Sequence, residues 1–125
     1  LGLVRVVRVD TAQDVGKALH PDAVRGQIEG GIMQGVGLAV MEELVIQDGV
    51  IRNPNFTDYL LPTILDAPDV EMLLIEQGSW WGPFGAKGVG EPPTISSTAA
   101  VAAAIRNAIG RDLNRVPVRP EDIAL

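Results

Sequence analysis

The chain has 125 residues, 46% of them hydrophobic and 21% charged, which is the composition of a single folded domain with one modest core rather than of a disordered segment. Ten basic against sixteen acidic side chains give a formal net charge of -6, with no basic stripe to neutralise a phosphate backbone, so nucleic-acid binding is excluded as the main role. Cysteine is absent and His20 is the only histidine, so these residues can supply neither an iron-sulfur cluster nor an ordinary zinc site.

The chain opens without a methionine or a charged leader, directly in a strand-like run, and is read as a piece of a longer polypeptide. Leu3 to Asp10 is rich in valine, with Arg5 and Arg8 three apart rather than alternating, which predicts a largely buried strand. Thr11 to Gly16 reads as a turn. His20-Pro21-Asp22 then opens a helix expected to reach about Glu43, with Pro21 at a first-turn position and Asp22 near the positive end of the dipole. Val24, Ile28, Ile32, Gly35 and Ala39 recur at spacings of three and four and mark its buried face. Gly26, Gly30, Gly31, Gly35 and Gly37 also lie inside it, each costing a helix about 0.5–1 kcal/mol relative to alanine. Gly31 and Gly35 share a face, so the missing Cβ atoms admit either another backbone or a bulky ligand. The most apolar stretch, Gly30 to Val40, is interrupted by Gln34 and flanked by charges, well short of the roughly 20 apolar residues of a membrane span.

Leu44 to Gln47 and Val50 to Arg52 around Asp48-Gly49 predict a hairpin, because Asp-Gly favours the turn that matches strand twist. Asn53 to Pro68 is broken by prolines and reads as irregular. Val70 to Glu76 is the next strand, and it delivers the chain to Gly82-Pro83-Phe84-Gly85-Ala86-Lys87-Gly88-Val89-Gly90-Glu91. After Pro92-Pro93, Thr94 or Ser96 is expected to cap an alanine-rich helix closed by Gly110, and Val116 to Leu125 reads as a tail. The class is therefore α+β: a small mixed sheet packed by the long glycine-bearing helix and the alanine-rich helix, in one domain over residues 1–125.

Strand, glycine loop and helix in that order suit the binding of an anion by bare backbone amides. The two best-known forms do not match. A Walker A loop needs Gly-Lys followed by Ser or Thr, whereas Lys87 lies between Ala86 and Gly88. A dinucleotide fingerprint needs Gly-x-Gly-x-x-Gly, and Gly85, Gly88 and Gly90 have the reverse spacing. On residues alone, an ordinary glycine-rich connector remains open.

Gly85-Ala86-Lys87-Gly88-Val89-Gly90-Glu91-Pro92-Pro93 resembles the signature near the end of the molybdenum-binding subunit in the xanthine oxidase and aldehyde oxidase family of molybdenum hydroxylases. Gly26-Gln27-Ile28-Glu29-Gly30-Gly31 through Leu38, finished by Glu42-Glu43, resembles that family's glutamine-bearing helix. Asn55 to Thr63 with Asp66-Ala67-Pro68 is similar to the segment between them. The resemblance implies a C-terminal segment of a larger molybdenum-binding subunit, forming one wall of the cofactor site. It implies a molybdenum pyranopterin, in bacteria often extended by cytosine dinucleotide, held without any protein ligand to the metal. It further implies cofactor contacts from Gln27, Lys87, Gly88, Val89 and Gly90, and Glu91 as the catalytic base.

The implied reaction is hydroxylation of an aldehyde or N-heterocycle with water as oxygen source, by a segment inactive on its own. The implied partners are the remainder of the subunit, an iron-sulfur subunit that carries electrons away, and an FAD subunit. The compartment, bacterial cytoplasm or periplasm, is left open, and so is the substrate. Pro92 is expected to bias Glu91 away from helical geometry and so to aim its carboxylate. The rival reading is a noncatalytic small domain that serves protein-protein packing.

Overall fold

A computed structural model describes residues 1–124. Strand β1 (Arg8–Asp14) is followed by helix α1 (Pro21–Val40), the short strands β2 (Ile46–Gln47) and β3 (Val50–Ile51), strand β4 (Asp69–Ile75), helix α2 (Pro92–Ile109) and helix α3 (Pro120–Ile123). Two single-turn 3₁₀ segments, Ile64–Asp66 and Pro83–Gly85, punctuate the loops. No helix among the described residues is long and apolar enough to cross a membrane.

The expected α+β class holds. Its strands divide into a parallel pair, β1 with β4 in register from Arg8↔Asp69 to Asp14↔Ile75, and an antiparallel hairpin of β2 with β3. Parallel strands need a long crossover, and α1 lies within it. The hairpin turns at Asp48 (φ 52°) and Gly49 (φ 75°), the two positive φ values that Asp-Gly promises.

Three sequence expectations are corrected. The first strand begins at Arg8, not Leu3, and extends through Asp14, so the segment read as a turn is mostly strand. It is also half-exposed rather than buried: Val9 and Val70, Met72 and Leu74 on β4 face the helices, while Leu73 and Ile75 face solvent. Pairing decides this, because β4 is the partner that fixes the register, and the Val-rich run from Leu3 to Val7 lies almost wholly before it. Of the stretch read as a tail, Leu125 lies outside the described residues, and residues 116–124 are docked on the core. Val118 is buried in the core and donates its N–H to the Ala39 carbonyl at 2.7 Å, while Arg119 forms an ion pair with Glu43. Finally, neither Thr94 nor Ser96 caps α2, which starts at Pro92.

The core is built from Ile28, Ile32, Val36 and Ala39 on α1, Val101 and Ile105 on α2, and Val118. Helix α1 begins where expected, with His20 as its cap: the Nδ1 atom accepts the Ala23 N–H at 3.1 Å. Four of its five glycines fall into two sets, while Gly37 is packed against Glu42 and Pro62. Gly31 and Gly35 face α2, where a Cβ at Gly31 would stand 2.9 Å from Pro93 Cβ and one at Gly35 would overlap the Ser97 side chain. At this close approach Thr94 Oγ1 donates to the Gly31 carbonyl (3.0 Å) and Thr98 Oγ1 to the Gly35 carbonyl (3.1 Å). Of the two occupants the sequence allowed on that face, the structure seats a helix. Gly26 and Gly30, by contrast, have nothing within 4 Å of where a Cβ would sit.

Candidate functional site

The glycine loop is held to the end of β1 by its main chain. Lys87 N–H donates to the Val15 carbonyl (3.0 Å), and the Gly85 carbonyl accepts from both Lys17 N–H (2.9 Å) and Ser79 N–H (3.0 Å). Gly16 must be glycine, since its φ is 61° and a Cβ there would run into the Gly85 carbonyl oxygen. Lys87 Nζ meets Asp14 Oδ2 at 2.5 Å. That hydrogen bond, with a second from Gly16 N–H, holds the Asp14 carboxyl below its ordinary range.

Beyond Lys87 the loop changes character. Among the described residues the N–H groups of Gly88, Val89 and Gly90 have no protein acceptor, and Gly88 has open space where a side chain would project. Gln27, far away in sequence, comes to the same place: its Oε1 lies 3.5 Å from the position a Gly90 Cβ would occupy. The two are joined because α1 and α2 cross at Gly31 and Gly35, which seats the Gly90 carbonyl 3.3 Å from where a Gly31 Cβ would stand. Gln27, Lys87 and Val89 line one hollow of about 230 Å³ between the start of α1 and the loop, together with Val15, Leu19 and Val24.

Glu91 follows directly. It is exposed, and its carboxylate has neither a hydrogen bond nor an ion pair among the described residues. Its backbone departs from the expectation set by Pro92: φ is -85° and ψ is -36°, in the helical region. The physical reason is that its carbonyl accepts from Thr94 N–H (3.0 Å) and Ile95 N–H (3.2 Å), and these bonds outweigh the steric bias of the following proline. Glu91 thus sits at the cap position of α2 without using its side chain as a cap, which leaves the carboxylate free for other work.

The family model described as the molybdopterin cofactor-binding domain matches residues 1–68, over half of the chain. The chain belongs to the molybdopterin cofactor-binding domain family. It is 38% identical to the xanthine dehydrogenase molybdenum-binding subunit of Escherichia coli O157:H7, over 94% of this chain and 16% of that protein. Among solved structures it is similar to quinoline 2-oxidoreductase from Pseudomonas putida 86, with a TM-score of 0.87, 38% identity, and coverage of 95% of this chain and 16% of that one. The aldehyde oxidoreductase from Desulfovibrio gigas matches with a TM-score of 0.87 and 33% identity over 98% of this chain and 13% of that one. This molybdopterin-domain segment therefore spans about one sixth of the length of the curated relatives it matches. The resemblance read from the three motifs is borne out, and the rival of a noncatalytic packing domain is not favoured.

The residues present fit such a group. Free amides on a glycine loop suit the anionic oxygens of a pterin phosphate, and the Gln27 amide can donate or accept beside them. No group of three His, Cys, Asp or Glu side chains that could hold a metal ion comes together among the described residues. Two contributions escaped sequence reasoning. Asp14 and Gly16, which the sequence places in a turn, carry the loop's anchorage. Thr94 and Thr98 set the helix crossing that brings Gln27 to Gly90, and the signal was available in their four-residue spacing, equal to that of Gly31 and Gly35.

Proposed function

We propose that this chain forms one wall of the cofactor site in a molybdenum hydroxylase that oxidises an aldehyde or an N-heterocycle with water as oxygen source. The observation that carries the reading is the meeting of Gln27 with Gly90 on a loop whose next residue, Glu91, offers an unpaired carboxylate. When bound, the molybdenum pyranopterin supplies the two-electron redox chemistry. The amides of Gly88, Val89 and Gly90 donate to its pterin oxygens, or to the phosphates of a cytosine dinucleotide form, and Gln27 fixes its orientation from α1. Lys87, its ammonium engaged by Asp14, acts by holding the main chain in place.

Glu91 would accept a proton from the water that supplies the product oxygen as the new C–O bond forms, the substrate C–H bond being broken with its electron pair taken up by the bound cofactor. Its exposure is consistent with this role in a segment that is one sixth of its relatives' length, since the remainder of the subunit would close the pocket and exclude water. Electrons would leave to iron-sulfur clusters, with FAD, on other domains or subunits. The name of the Escherichia coli relative, a molybdenum-binding subunit, supports partner subunits in general. The names of the relatives support both substrate classes: quinoline and xanthine are N-heterocycles, and the third enzyme is named for aldehydes.

The test is Glu91→Gln in the complete subunit with its partners. The variant keeps volume and hydrogen bonding but cannot take the proton, and a positioned general base supplies about 10²–10⁴-fold in rate. Turnover should fall by that factor while molybdenum per subunit stays at the wild-type level. Unchanged turnover in a fully loaded variant would remove Glu91 from the reaction.

A further inference from the structure

The glycine loop is stiff on one side of Lys87 and open on the other, and the boundary is marked by an ion pair. Before it, the Lys17, Ser79 and Lys87 amides tie residues 85–87 to their surroundings. After it come three amides with no acceptor among the described residues. At the boundary the last residue of β1, Asp14, uses both oxygens. One accepts Gly16 N–H at 3.0 Å and shapes the turn that runs against Gly85; the other accepts Lys87 Nζ at 2.5 Å.

We propose that Asp14 is a positioning residue for the cofactor loop, acting through Lys87 to fix the direction in which Gly88, Val89 and Gly90 leave the anchored segment. The inference rests on the function proposed above. As an isolated interaction the pair is ordinary: the two side chains are 33% and 38% exposed, and pairs of that kind add little to folding. Its consequence is geometric. A lysine free to swing would leave the stretch between Ala86 and Val89, whose side chain packs against the core, held by the single hydrogen bond from Lys87 N–H to Val15, and Gly88 imposes no direction of its own. Ordering a loop in its binding conformation beforehand improves retention by removing that cost from the binding step.

The experiment uses the complete subunit with its partner subunits and compares wild type, Asp14→Asn, Lys87→Met, the double variant, and the charge-swapped Asp14→Lys/Lys87→Asp. Molybdenum and released pterin per purified complex are measured, along with tryptic cleavage after Lys87 in wild type and Asp14→Asn. Each single variant should lower cofactor occupancy under limiting supply by roughly tenfold, the lower end for residues that orient a metal site's ligands. The double variant should be no worse than the poorer single, the charge swap should recover most of the loss, and Asp14→Asn should be cut faster after Lys87. Occupancy unchanged in Asp14→Asn, losses that multiply in the double variant, or a variant that fails to assemble would overturn the proposal. A wild-type complex that carries no molybdenum would overturn the functional reading, and the inference with it. A loaded wild type with a loss in Gln27→Ala but none in Asp14→Asn would overturn the inference alone.

Discussion

Replacing Gly35 by alanine should destabilise the chain, although the same change elsewhere in the same helix should stabilise it. Two opposed effects decide the sign. Alanine gains about 0.5–1 kcal/mol over glycine in a helix interior, because less backbone freedom is lost on folding. At Gly30 nothing lies within 4 Å of the new methyl, so that gain stands alone. At Gly35 the methyl would overlap Ser97 Oγ, stand 2.9 Å from Ser97 Cβ and 3.2 Å from the Thr94 carbonyl oxygen. Turning the hydroxyl away does not relieve the Cβ contact, and Ser97 is only 4% exposed, so α2 itself must shift. Overpacking of this kind costs about 1–3 kcal/mol. Helix propensity cancels between the two variants, so the gap between them reports the packing cost alone, about 1–3 kcal/mol in favour of Gly30→Ala. Urea titration of the 125-residue chain, followed by far-ultraviolet circular dichroism, measures that gap. Ser97→Gly should close most of it, since the clashing atoms belong to Ser97. If Gly35→Ala proves as stable as Gly30→Ala, the account of α1 and α2 in close approach is wrong, and with it the account of how Gln27 reaches Gly90.

Val118→Ala should cost about 2 kcal/mol, for two methyl groups lost from the core plus the cavity they leave, read as a lower urea midpoint with an unchanged slope. Tyr59, the only tyrosine, donates to Glu42 Oε2 at 2.7 Å, and that bond, with burial adding to it, raises the phenol above its ordinary value near 10. The raised value belongs to the folded state, so the stability it contributes is complete below pH 10 and is lost as the pH climbs through the folded value. The phenolate absorbance should therefore titrate higher in the native chain than in urea, and Glu42→Gln should bring the two curves closer, leaving the part due to burial.

Much of this molecule was legible in its sequence because the signals were local. Proline and aspartate at the start of α1, glycine after α2 and Asp-Gly in the hairpin act within a turn of where they stand, and each formed close to the expected position. The three motifs also pointed to their family, which the family model over residues 1–68 and relatives matched along 94% of the chain bear out. What failed was whatever depends on a partner distant in the chain. The valine run at Leu3 to Val7 has strand propensity, yet the β1 ladder is set by β4, more than fifty residues later, and begins at Arg8. Val118 gave no periodic signal because its anchorage is one side chain and one amide docked on α1. The site divides in the same way. The sequence determined which chemical groups are present: an amide, a run of bare main chain and a carboxylate. That Gln27 and the loop should share one cofactor followed from the resemblance, but only tertiary structure shows what joins these groups: α1 carries glycine where α2 must cross, which seats Gln27 beside Gly90, and Asp14 reaches Lys87 because the loop's main chain is bonded to Val15 at the end of β1, distances that no local rule connects.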